Sequence, residues 1–274
     1  MFEIEFYFNH SSSESMNSTK RILISVIVLC SVWQVWGKSR GELFTFVQLT
    51  DIQLGMFSKN TNNDEEKRLY SLAIDQINTL KPKFIVITGD FVNQRTDTNQ
   101  IKAFKQLTSL ISNRIPVYLI PGNHDVGQIP DKEKLDFYFR YYPTDKFDFG
   151  YKGLQLIGIN SSLINSGTEQ EQAQLNWLKA SLNKKSGKVR KIVFTHHPFF
   201  ITDINEKDSY SNIPGQKRME YMQLFKSNGV KMIFAGHYHN NAIAQYDGIE
   251  MITTSAVGKQ LGKAKSGFRS QGSR

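Results

Sequence analysis

Cysteine is almost absent from this 274-residue chain, which has Cys30 and no other. That excludes a disulfide framework and argues against a cysteine-based structural zinc site, so a packed core must hold the fold. Proline is scarce as well, at 7 residues, which leaves no room for polyproline or collagen-like architecture. Internal repeats and low-complexity linkers are missing from the middle of the chain, so a solenoid does not fit. The longest uncharged apolar run, ILISVIVLCSVWQVW at 22–36, falls short of the about 20 residues that span a bilayer comfortably.

That run follows Lys20 and Arg21 and has the size of a signal-peptide core, with Val35 and Gly37 as the small residues before a cleavage point. Residues 1–37 therefore read as a leader. Met16 is its expected start, because MNSTKR makes a basic opening whereas residues 1–15 carry Glu3, Glu5 and Glu14. The body is expected to be secreted or lumenal, with no stable membrane span after cleavage; an uncleaved signal anchor that tethers it is the alternative. Cleavage would raise the formal net charge from +9 to +10, since the leader holds Lys20 and Arg21 against three glutamates. Half of that excess lies near the end, at Lys259, Lys263, Lys265, Arg269 and Arg274. With Phe268 as its one aromatic residue, this stretch has no stacking platform, so it reads as a solvated tail and no nucleic acid is expected.

Between leader and tail, residues 38–268 read as one α/β domain, with 269–274 as a basic tail. Strand-like runs are FTFVQL (44–49), FIVIT (84–88), VYLI (117–120), LQLIGI (154–159), KIVFT (191–195), KMIFA (231–235) and IEMITT (249–254). They are continuously apolar rather than alternating, which predicts strands covered on both faces. Helical spacing occupies 63–80, 100–112, 131–142, 169–182 and 216–227.

Polar clusters sit at the carboxyl ends of five of these strands: LTDIQ, TGD, PGNHD, THHP and AGHYHNN. Strand ends of this kind line ligand crevices in α/β folds, so Asp51, Gln53, Asp90, Asn123, His196, His237 and His239 are predicted to converge. Alone, Asp51 or Asp90 reads as a turn cap and Asn123 as a turn residue; their joint placement outweighs that reading. His124, His196, His197, His237 and His239 are five of the six histidines in the chain, and the sixth, His10, lies in the leader. Imidazoles, carboxylates and amide oxygens together suit manganese, iron or zinc. The donors outnumber what one tetrahedral ion can use, so two metal ions sharing a carboxylate are predicted. Such a pair activates water and neutralises phosphoryl oxygens, with His124 as a proton donor oriented by Asp125.

D-x-Q, G-D, G-N-H-D, H-H-P and G-H-x-H, in this order and each after a strand, resemble the signature of the calcineurin-like metallophosphoesterases over roughly residues 43–268. FTFVQLTDIQLGMF, ITGDFVN, PGNHDVG, THHPFF and AGHYHNN are most similar to the subgroup called calcineurin-like phosphoesterase domain-containing protein 1. The resemblance implies a sandwich of two mixed β-sheets flanked by helices, with a dinuclear site at the strand ends. It implies that Asp51, Gln53, Asp90 and His239 hold one metal and Asp90, Asn123, His196 and His237 the other, with Asp90 bridging. His196 has the family spacing two residues before Pro198; His197 stands behind the ligands. Gln53 replaces the histidine of the wider superfamily, which should weaken the first metal site. The implied reaction is hydrolysis of phosphomonoesters, including phosphoserine and phosphothreonine of proteins, by metal-activated hydroxide. Phosphodiester hydrolysis at the same centre and a non-catalytic binding scaffold are the alternatives.

Three further expectations follow. The family adds strands after SGFR where this chain ends in SQGSR, as a truncated gene model would, so the edge near 249–254 is expected to be uncovered. Asn160 begins a glycosylation sequon at the end of an apolar strand and is expected to be buried. Tyr210 and Arg218, in the loop-like segment 206–218 between the last two motifs, are candidate substrate contacts by position, with a solvated loop as the plain alternative.

Overall fold

The computed structural model describes residues 29–32, 44–184 and 189–261. The rest of the leader and the 269–274 tail lie outside the described residues. Strands β1 (Leu29–Val32), β2 (Thr45–Leu49), β3 (Ile85–Thr88) and β4 (Val117–Ile120) form one sheet in that order, with β2, β3 and β4 parallel and β1 antiparallel at the edge. The second sheet contains β5 (Phe147–Tyr151), β6 (Leu154–Gly158), β7 (Arg190–Phe194), β8 (Val230–Ala235), β9 (Ala242–Tyr246) and β10 (Ile249–Thr253). Its order is β5-β6-β7-β8-β10-β9, with parallel strands inside and an antiparallel strand at each edge.

Three apolar layers explain why the inner strands read as unbroken hydrophobic runs. Alternate residues of each strand feed different cores. Phe46, Phe84, Val86 and Ile120 point between the sheets against Leu156, Ile192, Phe194 and Phe234. Val47, Leu49, Ile85 and Ile87 face outward under α1 (Asp64–Leu80), α2 (Thr98–Thr108) and α4 (Lys132–Phe139). Ile157, Val193, Ile233 and Met251 are covered by α5 (Glu169–Asn183) and α6 (Gly215–Ser227). Phe46 lies in the middle layer, where its ring stacks on Phe84 at 5.1 Å and meets Phe234 edge-on at 5.6 Å. The result is the expected two-sheet sandwich with helices outside. No helix among the described residues is long and apolar enough to cross a membrane.

Sequence patterning misses two edge strands, β5 and β9, and a third, β1, lies within the run read as a signal-peptide core. β5 and β9 are half exposed and pair through two-residue hairpins, at Lys152–Gly153 and Asp247–Gly248, whose residues all have positive φ. That is the geometry of a type I′ turn, and the D-G pair is its sequence signal. The second hairpin corrects the expectation of an uncovered edge: β10 lies inside the sheet between β8 and β9. Asn160 is fully buried, and its side-chain amide donates to Asp145, so the sequon is occluded as expected. Replacing Phe46 with alanine should lower the unfolding free energy by about 3–5 kcal/mol, read as an earlier midpoint in urea denaturation; a loss below about 1 kcal/mol would mean that the middle layer is not the stabilising core.

Candidate metal centre

The two sheets meet at the carboxyl ends of their parallel strands. Gln48, in β2, donates to the carbonyl of Ala235 at the end of β8 and accepts from Thr254, just beyond β10. Asp51 follows β2, Asp90 follows β3 and Asn123 follows β4; His196 follows β7, and His237 and His239 follow β8. All six are buried, as is Gln53. The expected convergence is therefore present, and its backbone is unusual. Eleven non-glycine residues among those described have positive φ, and five of them are Asp51, Gln53, Asp90, His237 and His239. Left-handed backbone at such residues costs about 1–3 kcal/mol each and persists where the surroundings over-determine it.

Here the surroundings are the neighbouring strand ends. The amide of Asp51 donates to the Gly89 carbonyl and that of Gln53 to the Asp90 carbonyl. Glycines precede three of the motif residues because the approach is so close. A Cβ on Gly122 would stand 2.2 Å from Asp90 Oδ1, and one on Gly236 would stand 1.8 Å from Thr50 Oγ1. The glycines of G-N-H-D and G-H-x-H thus let carboxylates from other strands reach the centre.

Inside this crowd, hydrogen-bond acceptors point at one another. His196 Nδ1 is 2.8 Å from the Thr88 carbonyl, His239 Nδ1 is held by the Lys259 carbonyl, and His237 Nε2 is 2.8 Å from the Tyr210 carbonyl. A carbonyl can only accept, so each ring places its proton outward and turns its other nitrogen inward. His196 Nε2 then lies 3.1 Å from Asn123 Oδ1 and 3.3 Å from Asp90 Oδ2. His239 Nε2 lies 3.2 Å from Asp51 Oδ1, which has no other hydrogen-bond partner among the described residues. The two amides behave alike. Asn123 donates to the Tyr210 hydroxyl and Gln53 donates to Asn93 Oδ1, leaving Gln53 Oε1 without a partner among the described residues. Ligand atoms of Asp90, His196 and His237 lie within 4.8 Å of one another. Facing lone pairs repel unless a cation stands between them, so the residues fit a metal site.

His124 sits on the short helix α3 (Asn123–Val126), partly exposed, with its amide donating to Asp90 Oδ1 and its ring Nδ1 2.7 Å from the Asn93 carbonyl. Asp125 does not provide the expected orienting contact. Its carboxylate instead accepts from the amides of Gly122, Phe91 and Val92, tying the loop after β4 to the loop after β3. Arg218 is wholly buried and donates to the carbonyls of Ile204, Glu206 and Ile213, so it fastens the loop instead of meeting a substrate. Tyr210, at the tip of that loop, lies with its ring 4.7 Å from that of His237. Asn93 and Lys259 were not singled out from sequence. Asn93 lies within ITGDFVN and was legible in principle; Lys259 acts through its carbonyl, which no residue type signals.

A profile described as calcineurin-like phosphoesterase matches residues 44–241. The chain is 33% identical over 246 residues to the serine/threonine-protein phosphatase CPPED1 of Rattus norvegicus, covering 82% of this chain and 79% of that protein. It is 28% identical over 224 residues to the probable glycerophosphodiester phosphodiesterase GpdQ of Arcobacter nitrofigilis, covering 78% of this chain and 79% of that one. Among solved structures, a dimetal phosphatase from Danio rerio superposes with a TM-score of 0.58 at 16% identity, covering 78% of this chain and 88% of that one.

Charge in the metal-free centre follows from the same crowding. Burial pulls the His196 ring down, but the carboxylates of Asp90 and Asp51 outweigh it and raise it from 6.5 to about 9. Burial and the neighbouring His196 lower His237 to about 4. A group with a raised pKa stabilises the folded state below its unfolded value and loses that contribution as pH climbs through the folded value. The metal-free protein should therefore lose His196-linked stability between about pH 6.5 and pH 9. Metal uptake must displace the same proton, so metal affinity should rise across that window with proton release. Calorimetric titration with manganese in two buffers of different ionisation enthalpy checks this; uptake without proton release near pH 7 would contradict it.

Proposed function

The chain belongs to the calcineurin-like phosphoesterase family, and from that premise we propose that it is a phosphatase for phosphomonoesters, with phosphoserine and phosphothreonine of proteins as its substrate class. The convergence of unpaired acceptors at the strand ends is the observation that carries this reading. Asp51, Gln53, Asp90 and His239 would hold one ion and Asp90, Asn123, His196 and His237 the other, with manganese, iron or zinc as the metals that suit this donor set. When bound, such a pair supplies water of near-neutral pKa and neutralises phosphoryl charge.

The chain's own residues do the rest. The outward carbonyls of Thr88, Tyr210 and Lys259 fix which nitrogen of each histidine faces inward, so the site is preorganised before an ion arrives. With Nδ1 turned to the Asn93 carbonyl, Nε2 is the nitrogen that His124 can offer to a substrate. In its imidazolium form that nitrogen donates a proton to the departing alkoxide. Asp125 keeps the His124 helix against the Asp90 loop, so its role is to position the donor without touching it. Gln53 offers a neutral oxygen where an imidazole would bind more tightly.

Similarity to the protein named as a glycerophosphodiester phosphodiesterase supports a second reading, diester hydrolysis at the same centre. The intact donor set counts against a non-catalytic scaffold. Export is proposed from the basic pair and apolar run of the leader, to a secreted or lumenal destination, with membrane tethering as the alternative.

His124→Ala should lower kcat on an aryl phosphomonoester by roughly 100- to 10,000-fold with metal content retained, whereas Asp90→Asn should lose both activity and metal by elemental analysis. Full activity in both variants would remove the assignment. A panel of bis-aryl phosphate, cyclic nucleotide and phosphopeptide separates the two readings: dominant diester turnover would displace the first. Expression of the full chain followed by fractionation and N-terminal sequencing tests export; an unprocessed cytosolic product would reject it.

A further inference from the structure

We propose that the cavity beside the metal centre is the subsite for the leaving alcohol, and that it selects an uncharged, hydrogen-bonding group of amino-acid side-chain size through His197 and Ser162. This rests on the phosphomonoesterase reading above and narrows it to a leaving-group class. The cavity measures about 200 Å³. Its walls come from the chain just after the His124 helix, from the turn at Ser161–Leu163 and from the loop that ends at Pro214. Two wall residues also touch the centre. The His197 ring is 4.3 Å from that of His237, and the Tyr210 hydroxyl receives the Asn123 amide. A phosphoryl group held at the metals would therefore place its ester oxygen against this space.

Hydrogen bonding at the wall is left incomplete in a directed way. Ser161 Oγ accepts the amides of both His196 and His197, at 3.1 and 2.8 Å. Its own proton is left for His197 Nδ1, 3.0 Å away. His197 therefore accepts at Nδ1 and carries its proton on Nε2. That Nε2 has no hydrogen-bond partner among the described residues, and neither does Ser162 Oγ, although the two side chains are only 4% and 3% exposed. Both residues line the cavity. Buried polar atoms without partners are uncommon, and two on one cavity wall point to a ligand that completes them.

Three features define that ligand. No wall residue carries a fixed charge, so a charged leaving group would lose hydration with nothing to replace it. Sites for drug-sized molecules usually have about 300–1,000 Å³, so this one suits a side chain and its adjoining peptide groups. Ile129 and Tyr210, both on the lining and largely exposed, give an apolar rim over which flanking residues can run. A seryl or threonyl unit in an uncharged peptide satisfies all three conditions.

The test compares p-nitrophenyl phosphate, whose aryl leaving group offers the wall no amide partners, with a capped neutral phosphoserine tripeptide, using the metal-loaded full chain. Ser162→Ala and His197→Ala should each lower the ratio of kcat/KM for the peptide over that for the aryl ester by about tenfold, the loss appearing as raised KM on the peptide. His197→Gln, which returns an N–H near the position of Nε2, should restore most of that ratio. Equal losses on both substrates with metals retained, or an unchanged ratio, would overturn the subsite alone. Turnover of neither substrate by the metal-loaded wild type would overturn the monoesterase reading and the subsite with it. Should His197→Ala fail to fold, Ser162→Ala, which removes a single oxygen, decides the question.

Discussion

Repulsion between converging acceptors is the constraint around which this molecule is built. Asp51, Asp90, Asn123, His196 and His239 bring oxygen and nitrogen acceptor atoms to within 3.1–3.3 Å of each other among buried side chains. The amides of His124 and His237 and the Thr50 hydroxyl satisfy only part of this set among the described residues, so other parts of the fold must hold it. The stacked phenylalanines between the sheets, the glycines that permit the strand ends to touch, and the amide contacts of Asp125 with both loops all serve that purpose. Protonation of His196 is the metal-free protein's partial relief from the same repulsion.

A second layer gives the site its specificity of orientation. Backbone carbonyls hold four imidazoles by one ring nitrogen each, and side-chain acceptors hold the NH2 groups of the two amides so that their oxygens are left for the centre. His197 is the exception. Its outer partner is the Ser161 hydroxyl, and the network around that hydroxyl sets the opposite tautomer. The difference separates a ring that offers a lone pair from a ring that offers a proton, although the two histidines are adjacent in sequence.

Much of this was legible in the chain. Continuous apolar runs marked the inner strands because both of their faces are covered, and the five strand-end clusters marked the seven converging side chains. The edge strands were not legible as runs, since β5 and β9 are half exposed and owe their pairing to turn geometry. Asp125 was misread for a related reason: adjacency to His124 suggested a side-chain contact, whereas in α3 neighbouring residues point in different directions. Arg218 was read as a substrate contact from its position beside a loop, and only the three carbonyls around it reveal a structural fastener. Carbonyl contributions, such as that of Lys259, leave no trace in residue identity at all.

The left-handed backbone at Asp51, Gln53, Asp90, His237 and His239 has an evolutionary implication. Glycine adopts that conformation without a Cβ penalty, so exchanging any of these five for glycine would relax the chain while disarming it. The most durable version of this scaffold is then a dead one, and a lineage released from the need for chemistry would drift toward glycine at these sites first. Five donor side chains held in such conformations are what the proposed metal centre would require.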